Sequence, residues 1–182
     1  MLETERTLLR EFRSGDFADV HSYTSDPEVQ RYWPGHAYTA AETREFLAGC
    51  ADDRRRLPRI HYRFAIVLRE STRVIGSAAI EDIHHSQGGG TLGYALHREF
   101  WGRGLMTEVV ERALGFAFKD LRLHRLIALC NTANAASERV LQKCGFTREG
   151  TLREHQRVGA EWRSSHLYAL LDREYAERAR QR

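Results

Sequence analysis

Lysine is almost missing from this chain: of 182 residues only Lys119 and Lys143 carry it, and arginine supplies the rest of the positive charge. The formal net charge is +3, with acidic residues interspersed throughout. That balance argues against nucleic acid as the main partner and suits an anionic cofactor. Cysteine is scarce and odd in number, and Cys50, Cys130 and Cys144 show no C-x-x-C spacing. They read as small buried hydrophobes, not as a disulfide framework or a redox motif. No His/Cys cluster has zinc spacing, and in the one tight pair, His84 and His85, adjacent strand residues face opposite sides; no metal is expected. The three prolines, Pro27, Pro34 and Pro58, lie in the first third, and there is no Ser/Gly/Pro-rich linker, internal repeat or low-complexity segment. A single domain over residues 1–182 is expected, with a polar tail from about 172 to 182. No apolar run approaches the length of a membrane span, and the opening M-L-E-T-E-R is charged where a signal peptide would be apolar. The expectation is a cytoplasmic protein without a membrane partner.

What is present is organised around residues 93–119. A short apolar strand, 92–96, leads through a turn holding Gly102 and Gly104 into a helix. In that helix Leu105, Met106, Val109, Val110, Ala113, Leu114, Ala117 and Phe118 recur at steps of three and four, one continuous apolar face. Strand, glycine turn and helix N-terminus together make an anion site. The first helical N–H groups lack internal partners and lie at the positive end of the dipole, and glycine admits close backbone approach. Phosphate is the usual occupant, and Arg103 can add charge. Taken alone, a bare G-x-G turn is more often a plain strand-to-helix connection than a phosphate site. It is not a dinucleotide fingerprint, because Thr107 stands where the third glycine would be, nor a Walker A loop, since no Gly-Lys-Ser/Thr follows.

Around this stretch the pattern alternates between strands and helices. Residues 6–12 read as a first strand, followed by a helix capped at Ser14-Gly15-Asp16 and another starting at Asp26-Pro27. Tyr32-Trp33-Pro34-Gly35 breaks the latter, and Thr39 with Glu42 forms a capping box for the next. Residues 62–68 and 74–80 are strands, and Gly88-Gly89-Gly90 turns into the strand 91–96. Then come a strand at 126–130, a helix capped by Asn134 and ended by Gly145, and a hairpin of strands 146–157 and 162–171. Residues 172–182 read as a frayed polar helix. The fold class is α/β with a mixed sheet, in the order β-α-α-β-β-β-α-β-α-β-β.

Three wordings go further: G-Y-A-L, then W-G-R-G-L-M-T-E, then R-L-I-A-L-C-N-T-A-N-A-A-S-E-R-V-L-Q-K-C-G-F-T-R-E-G. In this order and spacing they resemble the GNAT acetyltransferase superfamily, and most of all its RimJ/RimL-type N-acetyltransferase branch. The resemblance covers nearly the whole chain and is strongest over 76–150. It implies a GNAT-like fold with a mostly antiparallel central sheet, and acetyl-CoA as cofactor. The pyrophosphate would sit on the amides of Trp101, Gly102, Arg103, Gly104, Leu105, Met106 and Thr107. Asn134 would hold the pantetheine arm, and Arg139 and Lys143 would lie near the nucleotide. A backbone amide at about Ala95 or Leu96 would face the carbonyl oxygen. Tyr32, Trp33 and Tyr38 would wall the acceptor groove.

Acetyl transfer from a thioester needs a neutral amine, donors for the growing oxyanion, and help for the leaving thiolate. By the resemblance, Ser137 is the acid candidate near the sulfur; read as a residue alone, it is a first-turn hydroxyl solvating the backbone. The base is open. Many relatives carry Glu two residues before the Gly-Tyr, but Thr91 stands there in this chain. Glu81 and Glu154, with His155, are the alternatives, and a water relay needs no single base. Ser164 also stands where relatives often have Asp. Tyr94 and Tyr168 read as core residues. The expected reaction is N-acetylation of a primary amine by direct attack in a ternary complex. The acceptor is a protein N-terminus, a polyamine or another small amine, and the protein is a monomer or homodimer. The alternative is a catalytically silent acyl-CoA-binding module.

Overall fold

Alternating apolar residues build one eight-stranded sheet among the residues that the computed structural model describes, 1–33 and 35–181. Pro34, read above as part of a helix break, and Arg182, the end of the tail, lie outside the described residues. The strands are β1 (Leu2–Glu3), β2 (Thr7–Glu11), β3 (Tyr62–Leu68), β4 (Val74–His84), β5 (Gly89–Leu96), β6 (Arg125–Asn131), β7 (Thr147–Val158) and β8 (Glu161–Leu171). Their spatial order is β1-β2-β3-β4-β5-β6-β8-β7. Every neighbouring pair is antiparallel except β5 and β6, which run parallel. A parallel pair needs a crossover. Here that is α4 (Leu105–Gly115), prolonged by a π-helical turn at Phe116–Asp120.

Two apolar clusters sandwich the sheet. The stripe predicted on α4 buries Val109, Val110 and Leu114 completely. With Leu141 of α5 (Ala135–Lys143) and Cys144 at its C-cap they pack against Ile66, Ile80, Leu92 and Leu126. On the other face α1 (Phe17–Thr24), α2 (Pro27–Gln30) and α3 (Ala40–Asp53) set Val20, Tyr23, Val29 and Cys50 against Ala65, Val67 and Val74. The three cysteines are free and buried. The caps predicted for α2 and α3 form: Asp26 accepts from the Glu28 N–H, and Thr39 and Glu42 exchange bonds. No helix among the described residues is long and apolar enough to cross a membrane.

The structure departs from the sequence reading in several places. Three helices, not the two of the expected element order, lie between β2 and β3. Ser14–Asp16 is a 3-10 turn, and Asp16 makes no cap bond to α1 because it accepts from Arg10 and the Arg13 N–H. The two-residue strand β1, pairing Leu2 with Leu9, was not anticipated. Gly89 and Gly90 are not turn residues but open β5, pairing with Arg125 and Leu126; only Gly88 of that trio turns, at φ +63°. β4 continues to His84 through a bulge where Asp82 has φ +50°. Finally, the tail is a docked helix, α6 (Asp172–Arg180), not a frayed one. Glu174 caps it by accepting from the Leu171 N–H, Tyr175 stacks on Phe118, and Arg178 donates to the carbonyls of Lys143 and Cys144.

Candidate active site

The parallel pairing of β5 with β6 lasts only from Gly89 to Thr91. Beyond it β6 stays with β8 while β5 stays with β4, so a wedge opens between β5 and β6. Ladder alternation says which backbone groups face it. The His97 N–H donates to Ile75 O at 2.8 Å, towards β4. Counting back through the regular register, Ala95 and Gly93 also bond towards β4, whereas Leu96, Tyr94 and Leu92 direct their N–H and C=O to the β6 side. Of the two amides named above, that of Leu96 therefore faces the wedge, together with the amide of Tyr94. The Leu96 carbonyl is taken by the Trp101 indole N–H, at 2.7 Å.

Gly76 lets β4 lie this close. A Cβ built there would stand 2.3 Å from the Ala95 carbonyl oxygen, a contact no side chain tolerates.

At one end the wedge meets the glycine turn. Gly102 (φ +73°) and Gly104 (φ +76°) are left-handed, and Gly104 serves as N-cap of α4. The first bond inside the helix runs from Glu108 N–H to Gly104 O, so the amides of Leu105, Met106 and Thr107 have no partner within the helix. At the other end stands α5. The Asn134 Oδ1 accepts from the Ser137 N–H at 3.1 Å. The Ser137 Oγ lies 2.8 Å from the phenol oxygen of Tyr94, and that phenol also reaches the Ser137 carbonyl at 3.2 Å. Burial pushes the Tyr94 phenol far above its ordinary pKa, with the Ser137 bond opposing only in part, so it stays protonated and can donate. The neighbouring thiol, Cys130, is raised by burial and points at the Asn131 and Asn134 carbonyls. It is not poised as a thiolate nucleophile.

These pieces line one cleft of about 350 Å³, a usual size for a small-molecule site. It brings together most of the residues singled out from the sequence. Ala95, Leu96, Trp101, Gly102, Gly104, Leu105, Met106 and Thr107 come from β5 and the turn; Asn134, Ser137, Arg139 and Lys143 come from α5; Tyr32 and Trp33 follow α2. Arg103 is not among the lining residues: its guanidinium lies over the Phe100 ring and its carbonyl accepts from Arg6 Nη1. Tyr38 packs edge-on against Phe46 instead.

Neither carboxylate proposed as base lies in the cleft lining. Glu81 accepts from Arg63 Nε at 2.5 Å, and Arg63 is itself held by Asp53. Glu154 is exposed on a bulge of β7, at φ +50°, with its N–H on the Ser164 Oγ. Periodicity could not foresee either position, because one depends on a cross-strand arginine and the other on a register shift.

Sequence reasoning missed Tyr94, Glu28, Val29 and Phe100, all of which line the cleft. Tyr94 alternates with Leu92 and Leu96 and so reads as core; it faces the cleft only because the sheet divides beside it. Tyr168, read the same way, is buried, with its hydroxyl on the Glu138 carboxylate at 2.6 Å.

Residues 6–147 match the acetyltransferase (GNAT) domain family. Over 176 residues the chain is 31% identical to the uncharacterized N-acetyltransferase p20 of Bacillus licheniformis, covering 96% of this chain and 98% of that protein. A shorter match, 30% over 79 residues, spans 43% of the chain and 41% of the [ribosomal protein uS5]-alanine N-acetyltransferase of Escherichia coli. Among solved structures, a GNAT-family acetyltransferase from Bacillus anthracis superposes with a TM-score of 0.83 at 28% identity, over 94% of this chain and 98% of that one.

Proposed function

Because the chain belongs to the GNAT acetyltransferase family, we propose that it moves the acetyl group of acetyl-CoA to a primary amine by direct attack in a ternary complex. The observation that carries this reading is the wedge itself. It joins unpartnered helix amides at one end, outward-facing strand amides in the middle and a Ser–Tyr hydroxyl pair at the other end.

In this reading the pyrophosphate lies on the turn and first-turn amides of α4. Asn134 meets the pantetheine arm, and Arg139 and Lys143 meet the nucleotide phosphates. The amine nitrogen attacks the thioester carbon, and the carbonyl oxygen gathers charge against the Leu96 or Tyr94 amide. The C–S bond then breaks, and the departing thiolate accepts a hydrogen bond from the Ser137 hydroxyl, which Tyr94 orients. With a thiol pKa of roughly 8.5, such a donor is sufficient help. The proton lost by the amine leaves through water, since Glu81 and Glu154 do not reach the cleft. The acceptor is a protein N-terminal amine or a small amine entering past Tyr32 and Trp33, and the setting is cytoplasmic.

A thermal melt with acetyl-CoA, with NADH as control, tests cofactor binding. At about a hundred times the dissociation constant the ligand should add roughly 2.7 kcal/mol of stability. An acceptor screen comparing polyamines with peptide N-termini then tests transfer. A melt shift without turnover on any amine would support the silent CoA-binding module instead. No shift at all would refute the cofactor assignment.

A further inference from the structure

The glycine turn has a conformational weakness. Arg103 sits between two left-handed glycines, Gly102 and Gly104. A flip of the 103–104 peptide unit changes the φ of Gly104, and glycine accepts either sign of φ at little cost, so that unit can turn over cheaply. A flipped 103–104 unit would offer an anion a carbonyl oxygen in place of an N–H.

Something outside the cleft holds that unit. Arg6, in the bend between β1 and β2, donates from Nη1 to the Arg103 carbonyl at 2.9 Å. Arg6 is itself fixed at two points on one carboxylate: its main-chain N–H meets Glu108 Oε1 at 2.8 Å and its Nε meets Glu108 Oε2 at 2.8 Å. In a planar trans peptide the C=O and the following N–H point in opposite directions. With the Arg103 carbonyl drawn towards Arg6 on the flank of α4, the Gly104 N–H is directed the other way. Gly104 lines the cleft, and Arg103 does not.

We propose that Arg6 is a positioning residue for cofactor binding, holding the 103–104 peptide so that the Gly104 amide faces the pyrophosphate. The inference rests on the acetyl-CoA reading above. The clamp has a second effect of the same sign. Glu108 carries a negative charge one turn inside the helix end that would receive phosphate, and Arg6 neutralises it there.

The test compares acetyl-CoA with acetyl-pantetheine, which lacks the pyrophosphate, in Arg6→Ala and Arg6→Lys variants. Calorimetry of the unmutated protein with acetyl-CoA comes first; no binding there would overturn the parent reading and this one with it. If it binds, Arg6→Ala should raise the acetyl-CoA dissociation constant about tenfold, the scale of one lost hydrogen bond to a charged oxygen. Its dissociation constant for acetyl-pantetheine, read by the same calorimetry, should change by no more than about twofold. Arg6→Lys keeps the positive charge beside Glu108 but cannot fork between Glu108 and the Arg103 carbonyl, so it should recover only the smaller part of the loss and still bind acetyl-CoA several-fold more weakly than the unmutated protein. Full rescue by lysine would reduce Arg6 to a distant charge and overturn the positioning role. Equal losses with both acetyl donors would also overturn it, marking a general structural defect. If Arg6→Ala does not fold, the Arg6→Lys comparison alone decides.

Discussion

The phenol of Tyr94 on β5 and the hydroxyl of Ser137 on α5 stand 2.8 Å apart across the division of the sheet. Each is bound to an element that the other does not share, so the pair bridges the wedge and fixes the Ser137 oxygen in the cleft. A serine free to turn its hydroxyl to the helix backbone would be an ordinary first-turn residue; Tyr94 provides it with a different partner.

Ser137→Ala should lower kcat by about ten- to a hundredfold, at the lower edge of acid–base effects because a thiolate is already a fair leaving group. Acetyl-CoA affinity should hardly change. Tyr94→Phe should cost less, about three- to tenfold in kcat, since it removes orientation and leaves the donor. Steady-state kinetics with a separate binding measurement checks both; an unchanged kcat in Ser137→Ala would remove the serine from the mechanism.

Gly76→Ala should destabilise the fold by about 1–3 kcal/mol, the usual range for overpacking. The obstacle is the Ala95 carbonyl, a backbone atom 2.3 Å from the new methyl, which no rotamer change relieves. Displacing it moves the β5 edge of the wedge, so the acetyl-CoA melt shift should shrink as well. Melts with and without acetyl-CoA measure both effects.

Glu108 supplies a pH signature. Burial opposes its charge, but hydrogen bonds from Thr4 and Arg6 outweigh burial and hold its carboxyl below the ordinary value. A carboxyl depressed in the folded state stabilises the fold above its unfolded pKa, and that contribution is lost as pH falls through the lower folded value. Glu108→Gln should therefore melt below the unmutated protein at neutral pH, and the gap should close below about pH 4. A gap that stays constant from pH 7 to pH 3 would show that the carboxylate charge adds nothing.

Arg178→Ala should detach the C-terminal helix. Its guanidinium serves the carbonyls of Lys143 and Cys144 at the end of α5 and the carboxylate of Glu111. The loss should be about 1–3 kcal/mol, with faster amide exchange over α6. Because Lys143 also borders the cleft, weaker acetyl-CoA binding should accompany it.

Local chemistry made much of this molecule readable. The α4 stripe follows the 3.6-residue period, so its core face was legible without any partner. The caps at Asp26, Thr39 and Asn134 satisfy amides within three residues of themselves, and the left-handed turn at Gly102 and Gly104 is written in the glycines. Those signals are short-range, and they located the glycine turn at the head of α4 that lines the cleft.

Tertiary structure decided the rest, because it turns on which strands part company. Tyr94 carries the same alternation as a core residue, and it reaches the cleft only because β6 leaves β5 after Thr91. The ladder register, not the residue type, assigns the wedge-facing amide to Leu96 and leaves Ala95 to β4. Glu81 is occupied by Arg63 on the neighbouring strand and Glu154 is turned outward by a bulge, so their carboxylates, plain in the sequence, lie away from the cleft. Arg6 stands 102 positions before Glu108, beyond the reach of any local pattern. The sequence by itself determined most of the elements and the glycine turn, since hydrogen bonds and sterics between near neighbours set both. Which side chains share the cleft was decided by strand pairing across the whole chain.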